Sequence, residues 1–275
     1  KKDFPGQGQK VMNAMWGAGQ MMFNKILVLA DEKVKIQDYE ELARYVFRNI
    51  NPAQDIYFST GPMDVLDHSC SKMGFGGKMC IDGTSRMEEE LDSEWEADAK
   101  IELTDTQIFK KFPEIISVNT SLPVKGSPCL IIAVHKNRRE HVRKLHQSLC
   151  TTKELRGIKM ILYVEHTVDA NDLPSALWRF CNNLDPRRDQ ILYKTPLNEN
   201  GRYNACMGFD GTRKTKELDG FQRDWPNIIV ADEATIRAVD EKWESLNAGP
   251  FLPSPSLKYR DQLYGEEAVV QEDKH

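Results

Sequence analysis

The tripeptide Asp-Gly-Thr occurs twice, as Asp82-Gly83-Thr84 and as Asp210-Gly211-Thr212, each time closing an apolar run that begins with Met79 or Met207. A carboxylate and a hydroxyl two residues apart on a small-residue turn suit local side-chain-to-backbone hydrogen bonds, and the same pair can turn outward to a ligand. Duplication favours the structural role, because a catalytic group is seldom needed twice in one chain. Upstream of the first copy lies Gly74-Phe-Gly76-Gly77-Lys78. It is not a Walker A loop, since Lys72 stands where the first glycine belongs and Met79 replaces the magnesium-binding Ser or Thr. It is not GxGxxG either. It reads as a tight loop entering a short strand, the functional alternative being an anion approached by its N–H groups and Lys78. The candidate site residues are therefore Lys78, Asp82, Thr84, Asp210 and Thr212. No residue is assigned as catalytic, as a metal ligand or as cofactor-binding.

Other groupings carry less chemistry. Asp67-His68-Ser69 holds the residue types of a hydrolase triad, but consecutive side chains point in different directions and no GxSxG is present. His141 and His146 are five apart, off the spacing of HExxH, and with His135 they sit among Lys136, Arg138, Arg139, Arg143 and Lys144. That pattern predicts a solvated basic helix face. The six cysteines, at 70, 80, 129, 150, 181 and 206, form no CxxC and are expected as reduced thiols of a cytoplasmic protein.

Composition narrows the class. With 37 Lys and Arg against 42 Asp and Glu in 275 residues, the net charge of −5 argues against a nucleic-acid binder. The 40% hydrophobic content suffices for a core, and the apolar run at 26–30 is far short of the roughly 20 residues that span a bilayer. No signal peptide is apparent, and the first residue is Lys rather than Met, which suggests a chain processed or cut from something longer.

The elements that must position these residues are written twice. At an offset of 134, the run beginning with Lys25 lies over that beginning with Lys159, and Val34, Asp38, Asn49, Pro52, Asp55 and Pro62 fall on Val168, Asp172, Asn183, Pro186, Asp189 and Pro196. Lys2 and Lys10 fall on Lys136 and Lys144. After Pro62 the second copy is six residues shorter, and the Asp-Gly-Thr motifs align at an offset of 128. Tandem duplication of one α/β unit is the expectation. Each unit reads as a buried strand (26–30, 161–164), a helix capped by Asp38 or Asp172 and stopped before Pro52 or Pro186, and a second strand (56–59, 190–193). This βαβ pattern predicts a parallel, right-handed crossover. An amphipathic helix precedes each unit, through Val11, Met15 and Trp16 or Val142, Leu145 and Leu149. Two further strands, at 115–119 and 130–134, come before the second of these helices only.

Residues 86–105 hold nine acidic and two basic residues; Met87, Leu91 and Trp95 recur every four, which predicts a solvated amphipathic helix. A last helix is expected at 234–246, followed by Pro250, Pro253 and Pro255 and a polar tail that is mobile or docks on a neighbouring chain. The expected organisation is α/β, with two tandem related units having mixed or parallel sheets flanked by helices. The first covers 1–105 with its acidic linker, the second 106–248, and the tail 249–275.

Several long motifs resemble the C-terminal region of UbiD-type decarboxylases. They are Phe4-Pro-Gly-Gln-Gly-Gln-Lys-Val-Met-Asn-Ala-Met-Trp-Gly17, Gln20-Met-Met-Phe-Asn-Lys25, Asp64-Val-Leu-Asp-His68, Gly77-Lys-Met-Cys-Ile-Asp-Gly-Thr84 and Phe112-Pro-Glu-Ile115. The second copy adds Leu177-Trp-Arg, Asp185-Pro-Arg-Arg-Asp189, Met207-Gly-Phe-Asp-Gly-Thr-Arg-Lys214 and Phe221-Gln-Arg-Asp-Trp-Pro226. The resemblance implies non-oxidative decarboxylation of aromatic or α,β-unsaturated acids, as in quinone biosynthesis, on prenylated FMN held with a divalent metal. It also implies that the cofactor ligands, the catalytic Arg and its paired acids lie upstream of the segment matching Lys1. No cofactor is therefore expected in this chain, whose partners are a flavin-binding N-terminal domain of the same protein and further copies in a homo-oligomer. The expected role is packing, active-site closure and oligomerisation, without activity alone. The alternative is a stand-alone binding or assembly module of the same fold. Cys80 and Gly83 depart from the family's usual Gly and Ala, and Ser85-Arg86 stands where the second copy keeps Arg213-Lys214.

Overall fold

The computed structural model describes residues 1–95, 101, 103, 106–197, 201–264 and 269–270. The chain divides into two compact units, Lys1–Asp224 and Trp225–His275.

The larger unit holds two mixed sheets. The first has three strands, β1 (Ile26–Leu29), β2 (Ile56–Pro62) and β3 (Phe75–Asp82), in the order β1-β3-β2. The second has five: β4 (Ile115–Asn119), β5 (Cys129–Val134), β6 (Met160–Glu165), β7 (Gln190–Pro196) and β8 (Tyr203–Asp210), in the order β4-β5-β6-β8-β7. Helices α1 (Gln7–Trp16) and α2 (Tyr39–Asn49) flank the first sheet. In the second lobe come the single turn α3 (Ser121–Val124), then α4 (His141–Cys150), α5 (Leu173–Asn183), and the turns α6 (Pro186–Asp189) and α7 (Lys216–Asp219).

The two lobes share one topology in one register. Ile26 pairs with Met79 and Leu29 with Asp82 in the first, while Met160 pairs with Met207 and Tyr163 with Asp210 in the second. Ile56 pairs with Ile81 as Gln190 pairs with Phe209, and Pro62 with Phe75 as Pro196 with Tyr203. Every one of these pairs obeys the offsets read from the sequence. The six-residue difference falls in the β2–β3 connection, so it changes a loop and no strand.

The parallel βαβ expectation needs correction. β2 and β7 run antiparallel to β3 and β8, and it is β3 and β8, the strands that follow them, that pair in parallel with β1 and β6. The helix carries the chain past a gap one strand wide, and the returning hairpin strand fills it. The caps hold as expected: the Asp38 carboxylate accepts from Glu41 N, and that of Asp172 from Ser175 N. β6 is buried along its length, but β1, expected to be buried on both faces, leaves Val28 46% exposed. In the second lobe β5 covers the edge of β6 that faces away from β8; among the described residues β1 has no such neighbour. The same asymmetry governs the preceding helices. Val142, Leu145 and Leu149 of α4 are buried with Ile108 and Phe109, whereas Val11 of α1 is exposed.

The acidic segment is not a helix where it is described. After one 3-10 turn at Glu88–Glu90 it makes a turn at 93–94 closed on Asp92, and Trp95 then forms a parallel bridge with Tyr203 at the start of β8. Tyr203 Oη donates to Asp92 at 2.6 Å and Arg86 lies 4.4 Å from the Trp95 ring centroid, so tertiary partners replace the helical hydrogen bonds. Residues 96–100, 102, 104 and 105 of that stretch lie outside the described residues.

One hydrophobic core joins the lobes. Val46, Ile50, Met79 and Ile81 pack with Met160, Leu162, Phe180, Leu184, Met207 and Phe209, and the rings of Phe58 and Phe209 meet at 6.2 Å. Two lysines, Lys159 buried and Lys25 partly buried, cross this seam reciprocally. Lys25 donates to the carbonyl of Leu184, the residue that ends α5, at 3.1 Å, while Lys159, its counterpart, donates to the carbonyls of Arg48 and Ile50 at the end of α2. The last carbonyls of a helix lack internal partners and carry the negative end of its dipole, so each lobe supplies the cation that the other lobe's helix needs. Backbones also approach closely: Gly77 N donates to Asp185, and a Cβ at Gly77 would collide with Asp185 and Arg187.

The smaller unit contains α8 (Glu233–Lys242), continued by a 3-10 turn at Trp243–Leu246, and the turn α9 (Ser256–Tyr259). Its two-residue strands β9 (Val230–Ala231) and β10 (Val269–Val270) pair in parallel. The polar tail thus reaches back to its own unit at 269–270.

Lys159→Met should destabilise the chain by about 2–3 kcal/mol, because charged hydrogen bonds are lost and two helix-terminal carbonyls are left buried. Gly77→Ala should cost about 1–3 kcal/mol by forcing the lobes apart. Urea unfolding midpoints measured with unchanged m-values would check both.

Candidate active site or charged scaffold

Each Asp-Gly-Thr turn lies in a polar cleft, and the two clefts are built from equivalent positions. The first, of about 340 Å³, is lined by Lys2, Asp55, Asp82, Thr84, Arg86 and Glu90. The second, of about 360 Å³, is lined by Lys136, Arg188, Asp189, Asp210, Lys214 and Asp219.

Within each turn, the carboxylate folds back on its own loop. Asp82 Oδ1 accepts from Thr84 N at 3.1 Å and Thr84 Oγ1 at 2.6 Å, and Asp210 Oδ1 accepts from Thr212 N at 3.0 Å and Thr212 Oγ1 at 2.5 Å. Gly83 N donates to Leu29 O and Gly211 N to Tyr163 O, which ties each turn to the neighbouring strand. A glycine is required here because a Cβ at Gly83 would run into Val46, and one at Gly211 into Phe180 and the Tyr163 carbonyl. Asn49 and Asn183, near the ends of α2 and α5, donate to the Gly83 and Gly211 carbonyls at 3.0 and 3.2 Å.

A second acid and a base complete each cleft. Arg86 pairs with Asp55 and donates to the Asn49 carbonyl. In the equivalent place Lys214, 3% exposed, donates to the carbonyls of Asp210 and Thr212 at 2.6 and 2.7 Å, and lies 3.3 Å from the Asp210 carboxylate and 3.7 Å from that of Asp189. Lys2 reaches Thr84 Oγ1 and Glu90, and Lys136 reaches Asp219 and the Arg213 carbonyl. Burial alone would raise the Asp210 carboxyl; Lys214, Lys136 and the Thr212 hydrogen bonds overcome it and bring the pKa to about 2. Asp55 and Asp189 are pushed up by burial, which outweighs Arg86 in one case and Lys214 with Arg188 in the other.

Lys78 is not brought to either cleft. Buried on β3, it donates to the carbonyls of Met22 and Asn24 at 2.5 and 3.0 Å, and burial lowers its pKa. The glycines before it belong largely to β3, which starts at Phe75, with Gly74 making the turn at φ 71°. Asp67-His68-Ser69 lies in the longer β2–β3 connection and docks on the second lobe. Asp67 pairs with Lys25 at 2.8 Å, Ser69 Oγ donates to Asp67 and to Leu184 O, and His68 Nε2 faces Asn183 at 3.3 Å.

The solvated histidine face is overturned. His141 and His146 are 1% and 0% exposed, on the side of α4 that packs against the sheet, because Val142, Leu145 and Leu149 pull that side inward. His141 Nε2 lies 3.2 Å from Glu114, and burial lowers its pKa. His146 meets Cys150 and Cys206, a grouping that reading the histidines alone could not reveal; the His146–Cys150 spacing of one helical turn was the available signal. Asp55, Arg86, Asp189 and Lys214 belong to no motif that would mark them as site residues, although the repeat offsets pair them.

The residues present do not suit a flavin phosphate or a divalent metal in the clefts. Asp55, Asp189 and Asp210 are engaged by side-chain cations of the chain itself, and those cations are neutralised in return. In the second cleft Lys136, Arg188 and Lys214 face Asp189, Asp210 and Asp219, whereas in the first Lys2 and Arg86 face Asp55, Asp82, Glu89 and Glu90; in both, an asparagine ties the Asp-Gly-Thr turn to the helix end.

Residues 1–83 and 96–211 match the family described as 3-octaprenyl-4-hydroxybenzoate carboxy-lyase C-terminal domain, and the two matches end at the equivalent residues Gly83 and Gly211. The chain belongs to this family, the UbiD C-terminal domain. An uncharacterised protein of Helicobacter pylori strain 26695 is 28% identical over 267 residues, covering 94% of this chain and 40% of the relative. One from Aquifex aeolicus is 41% identical over 90 residues, 33% of this chain and 18% of that protein. The chain thus spans about two fifths of the length of the Helicobacter relative. Among solved structures, the closed form of Sedimentibacter hydroxybenzoicus vanillic acid decarboxylase aligns with TM-score 0.40 at 14% identity, over 65% of this chain and 39% of that one. The UbiD-class enzyme HmfF of Pelotomaculum thermopropionicum, in an evolved dimeric form with prFMN, gives 0.30 at 17%, over 44% and 25%.

Because the folded pKa of Asp210 lies below the unfolded value of about 3.9, its contribution is present above that pH and lost as pH falls through about 2. Asp210→Asn should therefore cost roughly 2 kcal/mol at neutral pH and flatten the acid limb between about pH 4 and 2. Urea titrations across that range would show a parallel shift instead of a flattened limb if the carboxylate were not held by its cations.

Proposed function

We propose that this chain is the C-terminal portion of a UbiD-like carboxy-lyase, which decarboxylates an aromatic or polyprenylated hydroxybenzoate-type acid in quinone biosynthesis. Its two lobes arose by tandem duplication. A preceding domain of the same protein holds prenylated FMN and metal, and this portion packs against it, closes over the active site, builds the oligomer and is inactive alone. Closure by a rigid body excludes water during carbanion chemistry, which is the service such a portion renders.

The observation that supports this reading most directly is the open side of the first lobe. In the second lobe, β5 pairs with β6 and the turn at Thr106–Lys111 covers α4; the family match there begins at residue 96, ahead of both elements. The first lobe presents the β1 edge, exposed Val28 and exposed Val11 at the equivalent positions. An unpaired strand edge beside apolar surface is a pairing template. Preceding polypeptide of the same protein is the occupant that the second lobe's own arrangement suggests.

Two measurements test the reading. The longer polypeptide should carry flavin absorbance and release carbon dioxide from a hydroxybenzoate-type acid, and this chain alone should do neither; a longer polypeptide without flavin would make the protein a binding or assembly module. Val28→Lys should change the stability of this chain alone by less than about 1 kcal/mol. In the longer polypeptide it should cost about 1–3 kcal/mol, and equal effects in calorimetric scans of the two would remove the docking edge.

A further inference from the structure

Under α4, three soft donors converge. His146 and Cys150 stand one turn apart on the helix and Cys206 lies on β8 beneath them, with the three ligand atoms all within 4.8 Å of one another. Cys150 Sγ is 3.4 Å from His146 Nε2. A tetrahedral cation with sulfur at about 2.3 Å and nitrogen at about 2.0 Å sets those two donors about 3.5 Å apart. The spacing is therefore that of ligands around a shared ion.

The surroundings make room for the imidazole and orient it. Gly208 leaves the space, since a Cβ there would come within 2.6 Å of His146 Nδ1. Tyr163 Oη lies 3.0 Å from Nδ1, and Nε2 faces Cys150 Sγ at 3.4 Å and the Cys206 carbonyl at 3.3 Å. His146 is fully buried and Cys206 nearly so, while Cys150 borders a cavity of about 70 Å³ together with Cys206, Thr195 and Asn204.

Comparison of the lobes adds an independent argument. The positions equivalent to His146, Cys150 and Cys206 are Met12, Trp16 and Lys78. In the first lobe the Lys78 ammonium lies 6.0 Å from the Trp16 ring centroid and is held by two carbonyls. One lobe carries its cation covalently at this place, and the other replaces it with two thiols and an imidazole.

We propose that His146 Nε2, Cys150 Sγ and Cys206 Sγ bind one divalent cation of the zinc class, with a fourth coordination position open to the cavity at Thr195 and Asn204. Two thiolates and an imidazole select zinc over magnesium or calcium. Binding releases the thiol protons to solvent and needs no oxidant or reductant. Tyr163 is the positioning residue, accepting from Nδ1–H so that the Nε2 lone pair faces the metal.

The test is titration of the full chain, reduced and metal-free, with cobalt(II) chloride. One equivalent should produce thiolate-to-cobalt charge-transfer absorption and the intense visible bands of a tetrahedral ion, both abolished by added zinc. Cys150→Ser should lower the affinity by roughly a hundredfold or more while the far-ultraviolet circular dichroism is kept. Tyr163→Phe should lower it about tenfold, and Cys181→Ser, on the exposed side of α5, should leave it unchanged. A pale octahedral spectrum, or a tetrahedral one that persists in Cys150→Ser, would overturn the site. So would a reduced chain that takes no cobalt yet forms a Cys150–Cys206 disulfide under mild oxidant, which would make the pair a redox couple.

Discussion

The two lobes are held together by an exchange of charge across their seam. Lys25 and Lys159 stand just before β1 and β6, and each directs its ammonium to the carbonyls at the end of the opposite lobe's helix, Lys159 buried and Lys25 partly so. An ammonium is costly to bury unless donors find acceptors, and terminal helix carbonyls are equally costly to bury unless acceptors find donors. Each lobe left alone would keep both deficits. Paired, the lobes cancel them and close a common core around Phe58, Phe180 and Phe209.

Once the lobes are fixed, the differences between them acquire meaning. The longer β2–β3 connection gives the first lobe an arm whose Asp67 and Ser69 reinforce the Lys25 contact, and Arg188 of the second lobe holds the Ser69 carbonyl at 2.6 Å. The acidic segment runs as a strap whose Trp95 lies against β8, with Arg86 and Lys159 over its ring. The clefts keep their charge pattern with altered members, Arg86 for Lys214 and Glu90 close to the place of Asp219.

Much of this was legible in the residues. The helix caps at Asp38 and Asp172, the strand at 130–134, the helix at 234–246 and the equivalence of the Asp-Gly-Thr turns rest on local rules and on one repeat offset, and the structure agrees with them. Strand direction was not legible, because an apolar run carries no sign of its orientation and the direction of β2 is set by its pairing with β3. The burial of His141 and His146 was missed because five basic neighbours suggested a wet face, whereas the apolar side of the same helix carries both rings inward. Met87, Leu91 and Trp95 mimicked a helical stripe, yet the partners that decided their conformation, Tyr203 among them, lie more than a hundred residues away.

The sequence by itself determined the family, the internal repeat and the capped helices, since those depend on residue order, periodicity and short-range hydrogen bonding. Only the tertiary structure decided which charges meet. Lys25 and Leu184, Lys159 and Ile50, and His146 and Cys206 are distant in the chain, and nothing in their local sequence names the partner. Burial makes such pairings obligatory: a charge or polar group removed from water must find its complement wherever packing places one.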